Sequence, residues 1–323
     1  MRAALRKTVP GAAHMSDGLL VLDAEYEARV KRAEPMSRHT SWHVGGPADV
    51  YFSPRDRADL LDFLGALPDG TPLFWLGLGS NLLVRDGGIR GVVIDTQAGL
   101  TRLERINDTM LTCEAGVPCA RLARQCIKWG MGPAEFLAGI PGTLGGALAM
   151  NAGAFGGETW PRVRSVDVCD ARGIARRRDA REYRYGYRHV VAPAPNEFFL
   201  AAALEFEYRP GITDQAMREL LARRKEKQPI GEWSCGSTFT NPPGDHAARL
   251  IEAAGLKGFR IGDIMVSPKH ANFLVNVAAA TAADVEKLVA HIQETVQRQF
   301  NVTLTPEFHT VGQAAGQSLE ETR

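Results

Sequence analysis

The sequence predicts an α+β fold divided among more than one domain. Three observations carry this. The chain has 323 residues, more than one compact core ordinarily organises. Strand-type apolar runs alternate with short helical stripes through its first two thirds. Its last third adds a charged helix and a long amphipathic one.

From Asp49 the pattern reads strand, helix, strand. Val50 to Phe52 is apolar, and Ser53-Pro54 reads as an N-cap with proline in the first helical position. Leu60, Leu61 and Leu64 then form a helical stripe. "PLFWLGLGSNLLV" is a buried strand breaking into a Gly-Ser-Asn turn, and "GVVIDT" is a further strand, which completes a small β-α-β unit. Next, "LTCEAGVPCARLARQCIKWG" is a strand followed by a helix from about Pro118, with Leu122, Cys126, Ile127 and Trp129 on its inner face. "SVDVCDARGIARRR" reads as a hairpin turning at Ala171 to Gly173, and "EFFLAAALEFEY" as a strand ended by Pro210-Gly211. "DQAMRELLARRKEKQP" is a charged helix. A helix around Ala247 to Ala254 and two short strands follow. Thr281, with Asp284 three residues on, opens a long helix whose stripe is Val285, Leu288, Val289, Ile292, Val296 and Phe300. "VTLTPEFHTVG" closes the fold as a strand.

Composition narrows the function classes. Hydrophobic residues make up 45% and charged residues 23%, ordinary for a globular chain. Lys plus Arg is 38 against 37 for Asp plus Glu, so no global field draws in nucleic acid or anionic lipid. Arg176-Arg177-Arg178 reads as a solvated face. The five cysteines include no C-x-x-C pair and no zinc spacing, which points to reduced structural thiols in a cytoplasmic protein without a metal. The start, "MRAALRKTVPGAAHMSDG", is basic, but Pro10 and Gly11 interrupt it before a signal-peptide core forms. It reads as a loose leader, with Met15 a possible alternative start.

Two glycine loops carry the chemistry. Phe136 to Gly157 holds no charged side chain, and seven residues from Gly139 to Gly157 are glycine. That glycine density, with Pro141 and Asn151, opposes a membrane helix despite the Gly142–Gly146 spacing. "GLGSNLL" follows a strand, but Leu82 stands where the dinucleotide fingerprint needs its third glycine, and no P-loop lysine follows. Taken alone, that loop is equally a plain turn. Glycines let main-chain N–H groups approach phosphate oxygens closely. Neither loop has lysine or arginine, so together they suit a pyrophosphate bridging two small lobes. A flavin dinucleotide fits the uncharged surroundings better than a nicotinamide.

"TSWHVGGPADVYFSP", "GLGSNLLVRDGGIRGVVI", "GIPGTLGGALAMNAGAFGGE", "YRYGYR", "CGSTFTNPPG", "KHANFLVN" and "NVTLTPEFHTVG" occur in this order. Together, from about Thr40 to Gly312, they closely resemble the bacterial UDP-N-acetylenolpyruvoylglucosamine reductases, in the subgroup lacking the long tyrosine loop. The resemblance implies an FAD-binding region of the vanillyl-alcohol-oxidase (PCMH) type in two subdomains, followed by a C-terminal α/β substrate-binding domain. It implies a leader over 1–36, the FAD-binding domain over 37–210 with its split near 105, and the substrate-binding domain over 211–323. It further implies non-covalent FAD, NADPH as co-substrate, and reduction of the enolpyruvyl ether to UDP-N-acetylmuramate for peptidoglycan synthesis. The partners implied are the UDP-sugar and NADPH, with no nucleic acid, membrane or obligatory protein partner.

Residue by residue, the resemblance assigns Ser237 in "CGSTF" as proton donor, Arg188 in "YGYRH" as the partner of the substrate carboxylate, and Glu307 in "TPEFH" as the carboxyl near the reacting carbons. Their bland alternatives are a loop-capping hydroxyl, a surface ion pair and a solvated strand glutamate. Tyr187, Arg224, Lys227 and Asn241 match substrate-binding positions. A charged outer helix face would equally account for Arg224 and Lys227. The cofactor positions are Gly77, Gly79, Ser80, Asn81 and Leu82 in the first loop. In the second they are Gly139, Ile140, Pro141, Gly142, Thr143, Gly145, Gly146, Ala152 and Gly153. His270 in "KHANF" reads as a packed histidine. His189, Val190 and Val191 replace the serine and aromatic common after the Tyr-Arg pair, and Pro268 and His309 replace polar or basic residues, which leaves the substrate cover open. Two other functions remain: another flavin-dependent oxidoreductase on the same scaffold, and a non-catalytic nucleotide-binding protein. The "GSTF" loop and Glu307 argue against the first, whose chemistry removes hydride and needs a base instead, and the joint presence of Arg188, Ser237 and Glu307 argues against the second.

Overall fold

The computed structural model describes residues 13–16 and 19–316. Most of the stretch read as a basic leader, residues 1–12, therefore lies outside the described residues, as do 17–18. The later part of the expected leader contains β1 (Lys31–Pro35), which pairs antiparallel with β2 (Pro47–Phe52).

The helix α1 (Arg57–Ala66) begins later than the Ser53-Pro54 signal suggested. Asp56 is the N-cap instead, in extended backbone, and its side chain accepts the Asp59 amide. Arg29 and the Arg55 amide hold the Asp59 carboxylate in turn, so the first helical turn is fixed at Asp56 rather than at the proline. β3 (Leu73–Leu76), β4 (Leu82–Val84) and β5 (Ile89–Asp95) follow. β2 and β3 each lie parallel to β5, giving a four-stranded sheet in the order β1-β2-β5-β3. Leu60, Phe63 and Leu64 of α1 pack over Val50, Phe52, Val92 and Ile94 of that sheet. The expected β-α-β unit is thus present, but "PLFWLGLGSNLLV" divides. β3 stays in the sheet, whereas β4 turns away to pair elsewhere.

The second region contains β6 (Leu103–Arg105), β7 (Met110–Glu114), α2 (Cys119–Lys128), α3 (Leu144–Met150), β8 (Val163–Cys169), β9 (Ala175–Asp179), β10 (Arg184–Gly186), β11 (His189–Val191) and β12 (Phe198–Glu205). Five of its strands form an antiparallel sheet in the order β9-β8-β12-β7-β6. α2 starts after Pro118 as its sequence predicts, and Leu122, Cys126 and Ile127 enter the core beside Leu144, Leu148 and Trp160. The β8–β9 turn falls at Asp170–Gly173, where Asp170 Oδ1 accepts the amides of Arg172 and Ile174. Arg176 and Arg177 pair with Asp170 and Asp167 on the outer face, as expected of a solvated run, whereas Arg178 pairs with the buried Glu197 carboxylate.

The third region holds α4 (Gln215–Lys227), α5 (Ala247–Ala253), β13 (Arg260–Ile261), β14 (Ile264–Val266), β15 (Leu274–Asn276), α6 (Ala282–Phe300) and β16 (His309–Val311). The capping box at Thr281 and Asp284 is formed, and Val285, Leu288, Val289, Ile292 and Val296 are buried. The closing segment is a strand only over His309–Val311. There it runs parallel to β4, while Leu304 turns into the core of the third region. Trp42 and Leu83, from the first region, are buried in that same core. The Trp42 indole donates to the Leu274 carbonyl at 2.8 Å, and Asn276 Nδ2 donates to the Trp42 carbonyl at 2.8 Å.

All five cysteines are free and buried. Burial pushes the thiols of Cys119, Cys126 and Cys169 up to about 12, so they behave as apolar packing groups rather than nucleophiles. Among the described residues no helix is long and apolar enough to cross a membrane.

Asp86, in the turn after β4, accepts the Ala282 amide at 2.9 Å and the Ala283 amide at 3.0 Å. These are first-turn amides of α6 that have no intrahelical acceptor. Asp86→Ala should therefore cost about 1–2 kcal/mol of stability, read as a lower denaturant midpoint with unchanged slope; an unaltered midpoint would mean that water replaces the carboxylate at no cost.

Candidate active site

A single large cavity of about 1020 Å³ opens where the three regions meet. Its walls are the loop after β3, the glycine-rich stretch around α3, the C-terminal half of α4, the Cys235–Ser237 loop, and Glu307 with β16. That volume is at the upper end for small-molecule sites, enough for a large cofactor together with a substrate.

The two glycine loops form one continuous wall. Gly79 has a φ of +59°, and a Cβ there would lie 2.0 Å from the His39 carbonyl oxygen. A Cβ at Gly77 would lie 2.5 Å from Thr143 Oγ1, so the two loops touch at this point. Backbone rather than side chain faces the ligand space. The Thr143 hydroxyl is buried in this seam against Gly77, with no hydrogen-bond partner and no accessible surface toward the cavity. The amides of Gly79, Ser80, Asn81, Gly142 and Thr143 make no hydrogen bond within the described residues. Several free N–H groups and no cation in either loop fit a bridging pyrophosphate. Gly145 points elsewhere: it does not line the cavity, and its amide donates to the Ala115 carbonyl at 2.8 Å.

Apart from Arg188, the lysine and arginine side chains lining the cavity come from α4. Arg223, Arg224 and Lys227 all line the cavity. Arg224 is committed to protein acceptors, donating to the Gly139 carbonyl and to Gln228 Oε1. Burial draws its guanidinium below the usual value. Arg223 and Lys227, four apart, share the open face of the helix.

At the opposite end Arg188, Ser237 and Glu307 converge on the cavity. Arg188 sits at the tip of the tight β10–β11 hairpin with a φ of +55°. For an arginine this is a strained, left-handed conformation that surrounding contacts must hold. Its Nε lies 2.7 Å from Glu307 Oε1, and both terminal nitrogens lie 3.4 Å from the Gly153 carbonyl. The Nε–H nonetheless has no well-aligned hydrogen-bond acceptor, so the ion pair leaves the guanidinium with donor capacity to spare. Burial raises the Glu307 carboxyl above its ordinary value, and Arg188 opposes that shift. The Glu307 amide donates to the Thr238 carbonyl at 2.8 Å, and its carbonyl accepts from Asn81 Nδ2 at 3.1 Å. One residue thus ties the serine loop to the first glycine loop. Asn272 pins the serine loop from below through both the Thr238 and Phe239 amides.

Besides these three, the cavity gathers every cofactor position read from the sequence except Gly145. Two substrate positions stand outside its lining. Tyr187 is exposed, its ring centroid 5.4 Å from the Arg188 guanidinium. Asn241 Oδ1 accepts the Ala247 amide at 3.1 Å, which caps α5. His270 is also outside, packed edge-on against Phe273 with Nδ1 toward the Asn272 amide. Sequence reasoning missed Arg223, whose four-residue spacing from Lys227 was the available signal. It also missed Trp75, Met150, Phe155 and His309, whose apolar or loop settings gave none.

Residues 48–178 match the family model described as an FAD binding domain. Fold and cavity together therefore define an FAD-dependent oxidoreductase. Residues 228–311 match the model for the C-terminal domain of UDP-N-acetylenolpyruvoylglucosamine reductase. The chain is 58% identical over 282 residues to the UDP-N-acetylenolpyruvoylglucosamine reductase of Alkalilimnicola ehrlichii, covering 87% of this chain and 94% of that one. It is 53% identical to that of Methylococcus capsulatus, covering 87% and 92%. The crystal structure of the Thermus caldophilus enzyme superposes with a TM-score of 0.75 at 34% identity, over 87% of this chain and 98% of that one. The chain belongs to the UDP-N-acetylenolpyruvoylglucosamine reductase family.

The two loops can be separated experimentally. Gly142 has open space around a notional Cβ, with Ser80 Oγ 3.5 Å away, whereas Gly79 has none. Gly142→Val should lower FAD retention at unchanged apoprotein stability; Gly79→Val should lower both. Flavin absorbance after gel filtration and apoprotein unfolding midpoints read the two effects, and full flavin retention by Gly142→Val would remove that loop from the cofactor wall.

Proposed function

We propose that the protein uses NADPH to reduce UDP-N-acetylglucosamine enolpyruvate to UDP-N-acetylmuramate, a cytoplasmic step in peptidoglycan precursor synthesis. The observation that carries this reading is the convergence of an arginine, a serine and a carboxyl on the end of a cavity whose other wall is a backbone cradle. The names of the relatives support the substrate. In this reading residues 37–210 hold the cofactor and 211–323 close over the sugar nucleotide.

When bound, FAD would supply the two-electron redox chemistry between NADPH and the enolpyruvyl group. The free amides of the two loops would hold its pyrophosphate. Lys227 and Arg223 meet the diphosphate of the substrate, and Arg224 keeps α4 against Gly139. Arg188 faces the substrate carboxylate, where its planar guanidinium matches charge delocalised over two oxygens in the transition state. Ser237 Oγ delivers the proton that the adjacent carbon requires.

Glu307 follows from the same electrostatics. As the substrate carboxylate takes the guanidinium, Glu307 loses its opposing charge while burial persists, so its carboxyl moves further upward and takes a proton. A protonated Glu307 beside the developing enediolate avoids like-charge repulsion. Reoxidation should therefore be fast at low pH and fall as pH rises through the raised Glu307 pKa. Glu307→Gln, neutral throughout, should lose that alkaline limb; a wild-type profile with the same limb in the variant would assign it to another group.

Ser237→Ala tests the central claim. Reduction of the flavin by NADPH asks nothing of Ser237, whereas reoxidation by the enolpyruvyl sugar requires its proton. Stopped-flow flavin absorbance should show reduction near the wild-type rate and reoxidation slower by roughly 10²–10⁴-fold, with partial recovery in Ser237→Cys. Equal slowing of both halves would make Ser237 a structural residue.

A further inference from the structure

Asn151 closes α3 in a left-handed conformation, φ +47°, and is 1% exposed. Asparagine is among the few residues that enter that region readily. Its side chain is fully occupied. Oδ1 accepts the Trp160 amide at 3.0 Å, and Nδ2 donates to Glu158 Oε2 at 2.9 Å and to the Gly186 carbonyl at 3.0 Å.

These three bonds join two parts of the site that nothing in the local sequence connects. On one side, Met150, Ala152 and Gly153 flank Asn151 in the chain and line the cavity. On the other, Gly186 ends β10, two residues before Arg188. The β10–β11 hairpin has three residues in each strand and, among the described residues, pairs with no further strand. A two-stranded hairpin of that size is marginal by itself. It is held by the Asn151 bond to Gly186 and by Tyr185 stacking on Trp160 at 5.7 Å. Trp160 is fixed in turn by its amide on Asn151 and its indole on the Leu148 carbonyl of α3. The Arg188 guanidinium then returns to the same stretch at the Gly153 carbonyl. Asn151 therefore stands at the closure of a ring running from the glycine-rich wall through the hairpin and back.

We propose that Asn151 is a positioning residue that sets Arg188 against the cofactor wall, so that hydride arrival and carboxylate stabilisation share one geometry. The proposal rests on the role of Arg188 argued above. Asn151→Asp keeps the size, the left-handed tolerance and the acceptor for Trp160, but turns both donors into acceptors and sets a second carboxyl against Glu158. Asn151→Gly tolerates the backbone and removes all three bonds.

The test uses the full FAD-loaded chain. Asn151→Asp should retain its flavin by absorbance, and flavin reduction by NADPH should stay within about twofold of wild type, while reoxidation slows about tenfold or more. The Asn151→Asp, Arg188→Ala double variant should reoxidise within about twofold of Arg188→Ala alone, because Asn151 acts through Arg188. A double variant slower by the full product of the single effects would overturn the proposal, since Asn151 would then act independently. Normal reoxidation in Arg188→Ala alone would instead defeat the reading of Arg188, and this proposal with it. Should Asn151→Asp lose its flavin, Asn151→Gly is read in the same way. Loss of flavin from both variants would make Asn151 a residue of the cofactor wall itself and would also overturn the proposal.

Discussion

The contact between Gly77 and Thr143 is the constraint on which the rest of the site depends. It brings two loops from different sheets within touching distance at a point where neither offers a side chain to the cavity. A wall made of backbone can present amides at short range, but it cannot adjust as a lysine can. Every neighbouring segment must therefore hold its place. The His39 carbonyl packs under Gly79, the Ala115 carbonyl takes the Gly145 amide, and Arg224 takes the Gly139 carbonyl. Rigidity at the cradle follows from using no cation in it.

The Arg188–Glu307 end of the cavity is built on a different plan. Arg188 and Glu307 are charged, largely buried and only partly satisfied by one another. Incomplete pairing is what makes the end useful, because a fully bonded guanidinium would have nothing left for a substrate. The strained backbone at Arg188 belongs to the same economy: the hairpin tip is held in a conformation that arginine alone would not choose, and its neighbours supply the difference. Stiffness on one wall and residual donor capacity on the other divide the work of the cavity.

Much of this architecture was legible in the sequence, and the unread parts have definite causes. Periodicity located α2 and α6 because each buries a single stripe against one core. Glycine content located both loops that line the cavity, because close backbone packing leaves a compositional trace. The start of α1 differs from the expected one because Ser53-Pro54 and Asp56 compete as caps, and the contacts of Asp59 with Asp56, Arg55 and Arg29 favour Asp56. The departure of β4 from its sheet was invisible, since its partner lies more than two hundred residues away. Asn241 and Tyr187 matched motif positions, yet a motif does not say which way a side chain turns. Arg223 was passed over for Arg224 because adjacent arginines look alike until one of them is seen bonded to a carbonyl.

The parallel pairing of β16 with β4 has a consequence for how the enzyme comes into being. During synthesis, β4 and the first glycine loop emerge more than two hundred residues ahead of their partner strand and Glu307. Leu83, buried in a core built largely from the third region, must wait exposed until then. A nascent chain extending only through α6 has its cofactor wall without the carboxyl, the β16 lining or the closing strand. Closure of the cavity therefore depends on a strand pairing that spans most of the chain.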